Sequence, residues 1–319
     1  MSNDTDYYYY YYYIDYPLFD FQTMYLTIYI TLTVISILGN SMILYVFSKP
    51  EFLKKPTFRY LSVATIFDTI NIFLIWPFNY REFFLIDTSH TSCMVYHFIS
   101  FLTHIFCSWI NILNSIDTCC AVKYYSKFQF RNKLNFQIIV LLVFFILSAL
   151  CSLPYVLYIH FTQPVCGIMD RLINNYFQYY YVVLYIVVPF IFMVTFNSIT
   201  FLELIKQKKR VKINNFTDAK NLFKVSVGLN LFFLITQLPF QIMFTVTTFQ
   251  YSLDMIFYDF MIFAKLLLQV FYSCDIIIYF IANKLFRKHC LSLFSSFNSN
   301  FFTSILGSST RKSDIKLQN

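Results

Sequence analysis

The sequence predicts an all-α integral membrane protein built as a bundle of seven membrane-spanning helices. Seven apolar stretches are each long enough to cross a hydrocarbon core about 30 Å thick. Only 13% of the residues are charged and 58% are hydrophobic, which is untypical of a soluble domain. The stretches run over 24–48, 60–80, 94–122, 135–158, 178–205, 222–248 and 260–282. Their odd number places the two ends of the chain on opposite sides of the membrane.

Lysine and arginine are distributed by side. Of the 24 in the chain, 21 lie in the first, third and fifth gaps between the stretches, at the start of the sixth stretch, and in the C-terminal tail. The positive-inside rule makes these segments cytoplasmic, so we expect a multi-pass plasma-membrane protein with an extracellular N-terminus. Because the positive charge follows the topology, the net charge of +8 does not indicate nucleic-acid binding.

Four segments follow from this topology: an extracellular tail (1–23), a seven-span domain (24–283), a membrane-surface helix (284–297) and a cytoplasmic tail (298–319). Basic and apolar positions alternate at helical spacing in the third segment, so we expect it to lie along the inner face of the lipid bilayer.

Two modification sites are predicted. Asn3 begins an Asn-Asp-Thr acceptor for glycosylation on the outer tail. Cys290 on the surface helix is a candidate for palmitoylation, and the alternative is an unmodified small apolar residue. The tyrosine run 7–13 is either sulfated or a repeat tract without a role.

Cys93 and Cys166 are the two cysteines that the topology places on the outer side. Cys93 opens the third stretch, and Cys166 lies between the fourth and fifth. Disulfides persist in such an oxidising compartment. A bridge between these two residues would hold the second outer loop over the bundle.

An ordered set of residues runs through the stretches: Gly39-Asn40, Asp68, Cys93, Asp117, Pro154, Pro189, Pro239, Asp275 to Tyr279, and Phe286-Arg287. In order, spacing and topology this set resembles the rhodopsin-like (class A) G-protein-coupled receptors, over about residues 24–294. The resemblance implies a receptor that transduces an extracellular signal to a heterotrimeric G protein. An enzyme is not expected, since no nucleophile–base pair or metal triad occurs at a useful spacing.

Asp68 and Asp275 are ionisable residues within spans, where charge is expensive and usually faces the bundle interior. The resemblance implies that they line a polar pocket for a sodium ion, with Asn40 as hydrogen-bonding support. The alternative is a protonated, hydrogen-bonded structural aspartate. No other cofactor is predicted.

The activation switch implied by the resemblance departs from the family pattern in places. The third span usually ends Asp-Arg-Tyr, but here it reads Asp117-Thr118-Cys119. Thr118 lacks the charged, planar fork with which arginine holds the inactive state and contacts the G protein. Three further switch residues match the family: Phe233, Pro239 and Tyr279. The missing arginine leaves open weak coupling, constitutive activity or a non-signalling scavenger.

The ligand pocket is predicted from positions that differ between subfamilies. Ser100 stands where amine receptors carry aspartate, and Gln269 where opsins carry lysine, so neither ligand class is expected. Lys265 either meets a ligand carboxylate or snorkels to the interface or pairs with Asp259. The predicted pocket comprises His97, Ser100, His104, Gln237, Lys265 and Gln269. No metal site is expected beyond the possible sodium, because His97 and His104 have no third ligand in view.

A peptide is the ligand class favoured by the acidic outer rim and the disulfide-tied loop, and the chain resembles diverged invertebrate neuropeptide receptors. Two alternatives remain. A decoy receptor of the same fold fits the same features. A transporter or channel fits less well, since the sequence has no repeated halves.

Overall fold

The computed structural model describes the backbone of residues 18–84, 90–123, 132–158, 160–162, 165–167, 171–210, 215–249, 255–293 and 295. Within these ranges the side chains are not described at 18–23, 75–84, 90, 160–162, 165–167, 171, 208–210, 215–219, 244, 247–249, 255–259 and 261.

The described chain forms seven long helices, as predicted, with short elements between them. The helices are α1 (Leu18–Phe47), α2 (Pro50–Leu53), α3 (Pro56–Phe84), α4 (His90–Lys123), α5 (Leu134–Leu157), α6 (Arg171–Val182), α7 (Val188–Arg210), α8 (Asn215–Phe249), α9 (Met255–Ala282) and α10 (284–293). A π-helical turn, Val183–Val187, joins α6 to α7 without a break. Spans one to seven are therefore α1, α3, α4, α5, the continuous α6–α7, α8 and α9.

Strands β1 (His160–Thr162) and β2 (Val165–Gly167) form an antiparallel hairpin between spans four and five. Phe161 pairs with Cys166 in its register. The hairpin occupies the predicted second outer loop.

Six helices of the described part are long and apolar enough to cross a membrane: Met24–Phe47, Thr91–Lys123, Leu134–Leu157, Leu172–Gln207, Lys220–Met243 and Ile262–Ala282. The predicted second span corresponds to α3, whose described part carries the buried polar residues Thr57, Thr65, Asp68 and Asn71. These polar side chains lie in the bundle interior and lower the mean hydropathy of the helix.

Apolar side chains face outward, as expected when lipid is the solvent. In span four, Leu142, Ile146, Leu150 and Leu153 are all exposed. The interior combines aliphatic side chains with many aromatic and polar ones. One buried cluster gathers Tyr181, Tyr185, Phe233, Phe271 and Tyr272, and another gathers Phe47, Phe52, Phe58, Tyr279 and Phe286.

Side chains of span three donate hydrogen bonds to two backbone carbonyls of the π-helical turn in span five. Pro189 has no N–H to bond the carbonyl four residues earlier, at Tyr185. The Ser108 hydroxyl donates to that carbonyl at 2.8 Å, and the Trp109 indole donates to the neighbouring Leu184 carbonyl at 3.1 Å. Carbonyls that would otherwise be unsatisfied in a membrane thus anchor span five to span three.

Helix α10 begins where Asn283 caps it. The Asn283 side-chain oxygen accepts hydrogen bonds from the backbone N–H groups of Leu285 and Phe286, at 3.0 and 3.1 Å. Phe286 and Cys290 of this helix are both fully buried, in the cluster that contains Phe47 and Tyr279. This burial counts against the predicted palmitoylation of Cys290, because an acyl chain needs an accessible thiol. It supports the alternative of a small apolar residue.

Candidate functional site

A group of side chains that we call the cage joins spans three, five, six and seven. It comprises His104, Tyr181, Tyr185, Gln237, Gln241 and Tyr272. The His104 Nδ1 atom lies 3.0 Å from the Tyr181 hydroxyl. The ring of His104 is nearly parallel to that of Tyr272, at 4° and with 6.0 Å between centroids. Tyr181 stacks on Tyr185, with centroids 5.1 Å apart. The three tyrosines are buried, so the cage is a packed centre.

Span six enters the cage through Gln237. Its side-chain oxygen accepts a hydrogen bond from the Tyr185 hydroxyl at 2.7 Å. Its Nε2 atom is buried and has no hydrogen-bond partner among the described residues. The Phe233 ring packs edge-on against the Tyr185 ring, and their centroids are 5.6 Å apart. Gln237 therefore links span six to span five, at the position where the receptors that this chain resembles usually carry tryptophan.

Gln241 lies one helical turn from Gln237 and also faces the cage, beside the Tyr181 hydroxyl. Neither of its amide atoms makes a hydrogen bond of good geometry within the described part of the chain, and both are buried. Buried amide groups without partners destabilise the state that contains them. A change that pairs these amides would therefore be favoured.

Two carboxyl groups lie in the centre of the bundle. Asp68 on span two and Asp275 on span seven are 3% and 6% exposed. They are close enough to interact electrostatically, and one oxygen of each, Oδ1, has no hydrogen-bond partner in the described part. Two neighbouring carboxyl groups in a buried site are not both ionised unless a cation is bound between them. The unpaired oxygens fit the oxygen preference of a hard cation such as sodium.

Asn40 supports this region without pointing its donor at the carboxyl groups. Its amide nitrogen donates to the Ser36 hydroxyl at 3.2 Å, the Thr69 hydroxyl at 3.0 Å and the Tyr272 carbonyl at 3.3 Å. It thus ties spans one, two and seven together around the aspartates.

At the end of span three that the charge distribution predicts to be cytoplasmic, Asp117 accepts a hydrogen bond from the Thr57 hydroxyl of span two. The adjacent Thr118 is fully buried, and its hydroxyl donates to the Asn114 carbonyl of its own helix at 2.8 Å. Thr118 therefore adds no described side-chain link to span six. Tyr279 packs edge-on against Phe47, with centroids 5.1 Å apart.

Comparison with known families decides the assignment. The model of the 7 transmembrane receptor (rhodopsin family) matches residues 39–279, which is most of the chain. The chain belongs to the rhodopsin family of seven-transmembrane receptors. The predicted resemblance is confirmed, and with it a multi-pass membrane receptor; proteins of this family are signalling receptors. No curated protein sequence matches the chain.

The structure separates the predicted ligand-pocket residues of this receptor. His104 and Gln237 belong to the cage. The amide of Gln269 instead donates to the Tyr29 carbonyl at 2.9 Å and the Thr33 hydroxyl at 3.1 Å, so it ties span seven to span one. The His97 ring lies against Tyr155 of span four, with centroids 5.9 Å apart. Ser100 and Lys265 are partly buried.

Sequence reasoning missed four members of the cage: Tyr181, Tyr185, Gln241 and Tyr272. A signal for three of them was present. Tyr181 and Tyr185 are four residues apart, as are Gln237 and Gln241, so each pair shares one helix face. Tyr272 carried no comparable signal.

A hydrogen-bonded group in the inner half of the receptor was also missed. We call it the inner polar layer; it comprises Asn197, Ser115, Ser226 and Asn230. The Asn230 amide donates to the Ser115 hydroxyl at 2.9 Å, and the Ser226 hydroxyl donates to the Asn197 side-chain oxygen at 3.2 Å. The two serine hydroxyls are 3.4 Å apart. The layer joins spans three, five and six.

Two predicted features fall wholly or partly outside the described residues. Cys93 is buried and disulfide-bonded, but the side chain of Cys166 is not described, so their pairing stays a prediction. The six described cysteines at 107, 119, 120, 151, 274 and 290 are not in disulfides. Asn3 lies outside the described residues.

Proposed function

We propose that this receptor lies in the plasma membrane with its N-terminus outside, binds a peptide at the outer ends of its spans, and signals to a heterotrimeric G protein. The observation that carries the proposal is the hydrogen bond from Tyr185 to Gln237 within the cage. This bond connects the region that a ligand would reach to span six, whose helix contains Pro239.

Ligand binding would act on span six through the cage. Gln237 lies two residues before Pro239, where the helix lacks one backbone hydrogen bond and bends more easily. A ligand that paired the Gln237 and Gln241 amides, or took the Tyr185 hydroxyl for itself, would bind one arrangement of span six better than the other. Such differential affinity is what shifts a two-state receptor.

A peptide suits the chemistry of the cage. Its described members are aromatic rings, hydroxyls and amides. Peptides offer the matching groups, namely amide donors and acceptors together with apolar or aromatic side chains. The acidic residues of the outer segments would add attraction for a basic peptide, within a screening length of about 8 Å.

A sodium ion is part of the proposal. Asp68 and Asp275 would hold it through their carboxylate oxygens, with Asn40 keeping spans one, two and seven in place around them. Bound there, the ion would offset the repulsion between two neighbouring carboxyl groups and stabilise the packed bundle.

The inner ends of the spans would meet the G protein. Basic residues of the inner gaps, such as the 206–212 segment, border that surface. Tyr279 and Phe233 lie in the two aromatic clusters that a movement of span six would repack. Asp117 and Thr118 close span three beside this surface.

A decoy receptor is the second candidate, and Thr118 favours it. The usual arginine would place a permanent charge at this position, whereas the Thr118 hydroxyl is satisfied within its own helix. A receptor of this kind would bind ligand at the outer side without engaging a G protein.

The test is G-protein dissociation in cells, measured for the wild type and for Thr118→Arg, with a neuropeptide panel and with surface expression quantified. Gln237→Leu serves as a control with a disabled cage. A peptide-dependent signal in the wild type that falls in Gln237→Leu supports the signalling receptor. A signal only in Thr118→Arg supports the decoy. Silence from both at equal surface expression contradicts the proposed peptide receptor for that panel.

A further inference from the structure

The inner polar layer joins three spans and is largely buried, so its hydrogen bonds contribute more to stability than bonds at a surface would. Ser115 and Ser226 are fully buried, and Asn230 is 5% exposed. The bond from Asn230 to Ser115 joins span six directly to span three. Breaking such a bond leaves buried donors and acceptors without partners, which is more costly than losing a bond at a surface.

The hydroxyls of Ser115 and Ser226 lie 3.4 Å apart and add a second polar contact between spans three and six. Asp117 is engaged by span two, and Thr118 by its own helix. Thr118 therefore forms no side-chain hydrogen bond to span six in the described structure. The bond from Asn230 to Ser115 thus links spans three and six in a region where Thr118 does not.

The layer is also incompletely satisfied. The Asn230 side-chain oxygen has no hydrogen-bond partner in the described structure, and neither amide atom of the neighbouring Asn114 has one. Both residues are buried. A packed state that holds span six by one bond while leaving nearby amides unpaired is stabilised only modestly. Such a half-satisfied network suits an element with two accessible arrangements.

We propose that the inner polar layer is the restraint that holds span six against span three in the closed receptor, with Asn230 as its central residue. Loss of the bond between Asn230 and Ser115 releases the inner half of span six. The inference rests on the proposed movement of span six, and it is independent of which ligand or G protein the receptor uses.

The experiment measures the distance between spin labels at the inner ends of spans four and six, in the purified full-length receptor in nanodiscs. Lys133→Cys and Lys220→Cys carry the labels, because both positions are exposed. The partly buried Cys120, Cys151 and Cys274 are replaced by alanine to prevent stray labelling. Asn230→Ala and Ser115→Ala are compared with Asn114→Ala, a buried residue whose amide has no partner to lose.

We expect Asn230→Ala and Ser115→Ala each to raise the ratio of long to short distances about five- to tenfold, the effect of losing one net hydrogen bond. The double variant should add little, since both changes remove the same bond. Asn114→Ala should leave the ratio unchanged or lower it, because it removes two unpaired buried amide atoms and no hydrogen bond. An unchanged distribution in Asn230→Ala, or an equal shift in Asn114→Ala, overturns the inference.

Two further measurements keep the test decisive. Asn230→Leu has a similar volume and loses the bond without a cavity, so it replaces Asn230→Ala if the latter does not fold. Basal G-protein dissociation in cells separates this inference from the proposed function. A longer distance with no basal signal supports the restraint and contradicts signalling, whereas an unchanged distance contradicts the restraint whatever the signal.

Discussion

The Thr57 hydroxyl of span two donates a hydrogen bond to the Asp117 carboxylate near the inner end of span three. Both side chains are buried, at 1% and 6% exposure. In the rhodopsin-family pattern an arginine follows this acid, and here Thr118 takes that place with its hydroxyl bonded inside its own helix. Span two, and not the next residue along the chain, therefore supplies a described partner of Asp117.

Thr57→Val should lower the free energy of unfolding by about 1.5–3 kcal/mol, the usual contribution of a buried hydrogen bond to a charged group. Valine keeps the shape of threonine, so the loss reports the hydroxyl and not a cavity. Unfolding by SDS in mixed micelles measures it. Thr195→Val is the matched control, because that exposed hydroxyl bonds only to the Ile191 carbonyl of its own helix in the described structure and should change stability little. Equal effects of the two substitutions would contradict the assigned role of Thr57.

Tyr185→Phe should destabilise the receptor by about 1–3 kcal/mol, because the buried Gln237 oxygen loses its donor and then has no partner. Gln237→Leu should offset part of that loss when it is combined with Tyr185→Phe, since no amide is left to satisfy. A double-mutant cycle by SDS unfolding measures the coupling between the two positions. Additive effects would show that the bond has no energetic importance.

The fold follows from apolar length and charge distribution, which are local properties of the sequence. The predicted stretch 135–158 and the helix Leu134–Leu157 differ by one residue at each end. Span five begins earlier than its predicted start at residue 178, because Arg171–Val182 continues the helix with a more polar composition. Such an extension has no apolar signal, although the helix runs through it.

The site was predicted less completely, because it depends on how each helix is rotated against its neighbours. Gln269 was expected in the ligand pocket from its position along span seven, but its amide faces Tyr29 and Thr33 of span one. The bond between Ser115 and Asn230 joins residues 115 positions apart. No periodicity within one helix reveals which polar residue of another span it will meet.

Cys290 should resist thiol reagents in the folded receptor. Its side chain is fully buried, and burial raises the pKa of the Cys290 thiol to about 11. The reactive thiolate is therefore scarce at pH 7. Maleimide labelling followed by peptide mass spectrometry should find Cys290 unmodified in the native receptor and modified after denaturation. Rapid native labelling, or an acyl chain on Cys290, would contradict this packing.

The same shift gives a pH dependence. The pKa of the Cys290 thiol is about 11 in the folded receptor and returns to the ordinary cysteine value of 9.0 when the chain unfolds. The unfolded state thus binds fewer protons between these values, so the stability that the neutral buried thiol contributes is present below pH 9 and declines toward pH 11. Cys290→Ala should show a weaker decline than the wild type over that interval, measured by unfolding at each pH. Parallel curves would contradict the prediction.

Gly228→Ala should separate spans six and seven. A Cβ atom at Gly228 would lie 2.9 Å from Cγ2 of Ile278, which is closer than packed carbon atoms come. Isoleucine is branched at Cβ and cannot easily turn Cγ2 away. We expect a loss of about 1–3 kcal/mol in stability, which outweighs the better helix propensity of alanine, worth about 1 kcal/mol.

Two variants decide whether this contact is responsible. Gly39→Ala is the control, because its Cβ would meet Ile276 Cγ2 at 3.4 Å, so the substitution should be close to neutral or stabilising. Ile278→Ala removes the clashing methyl group, and in that background Gly228→Ala should be far less harmful. If Gly228→Ala destabilises equally with and without Ile278, its effect arises elsewhere, and close packing of spans six and seven does not explain the glycine.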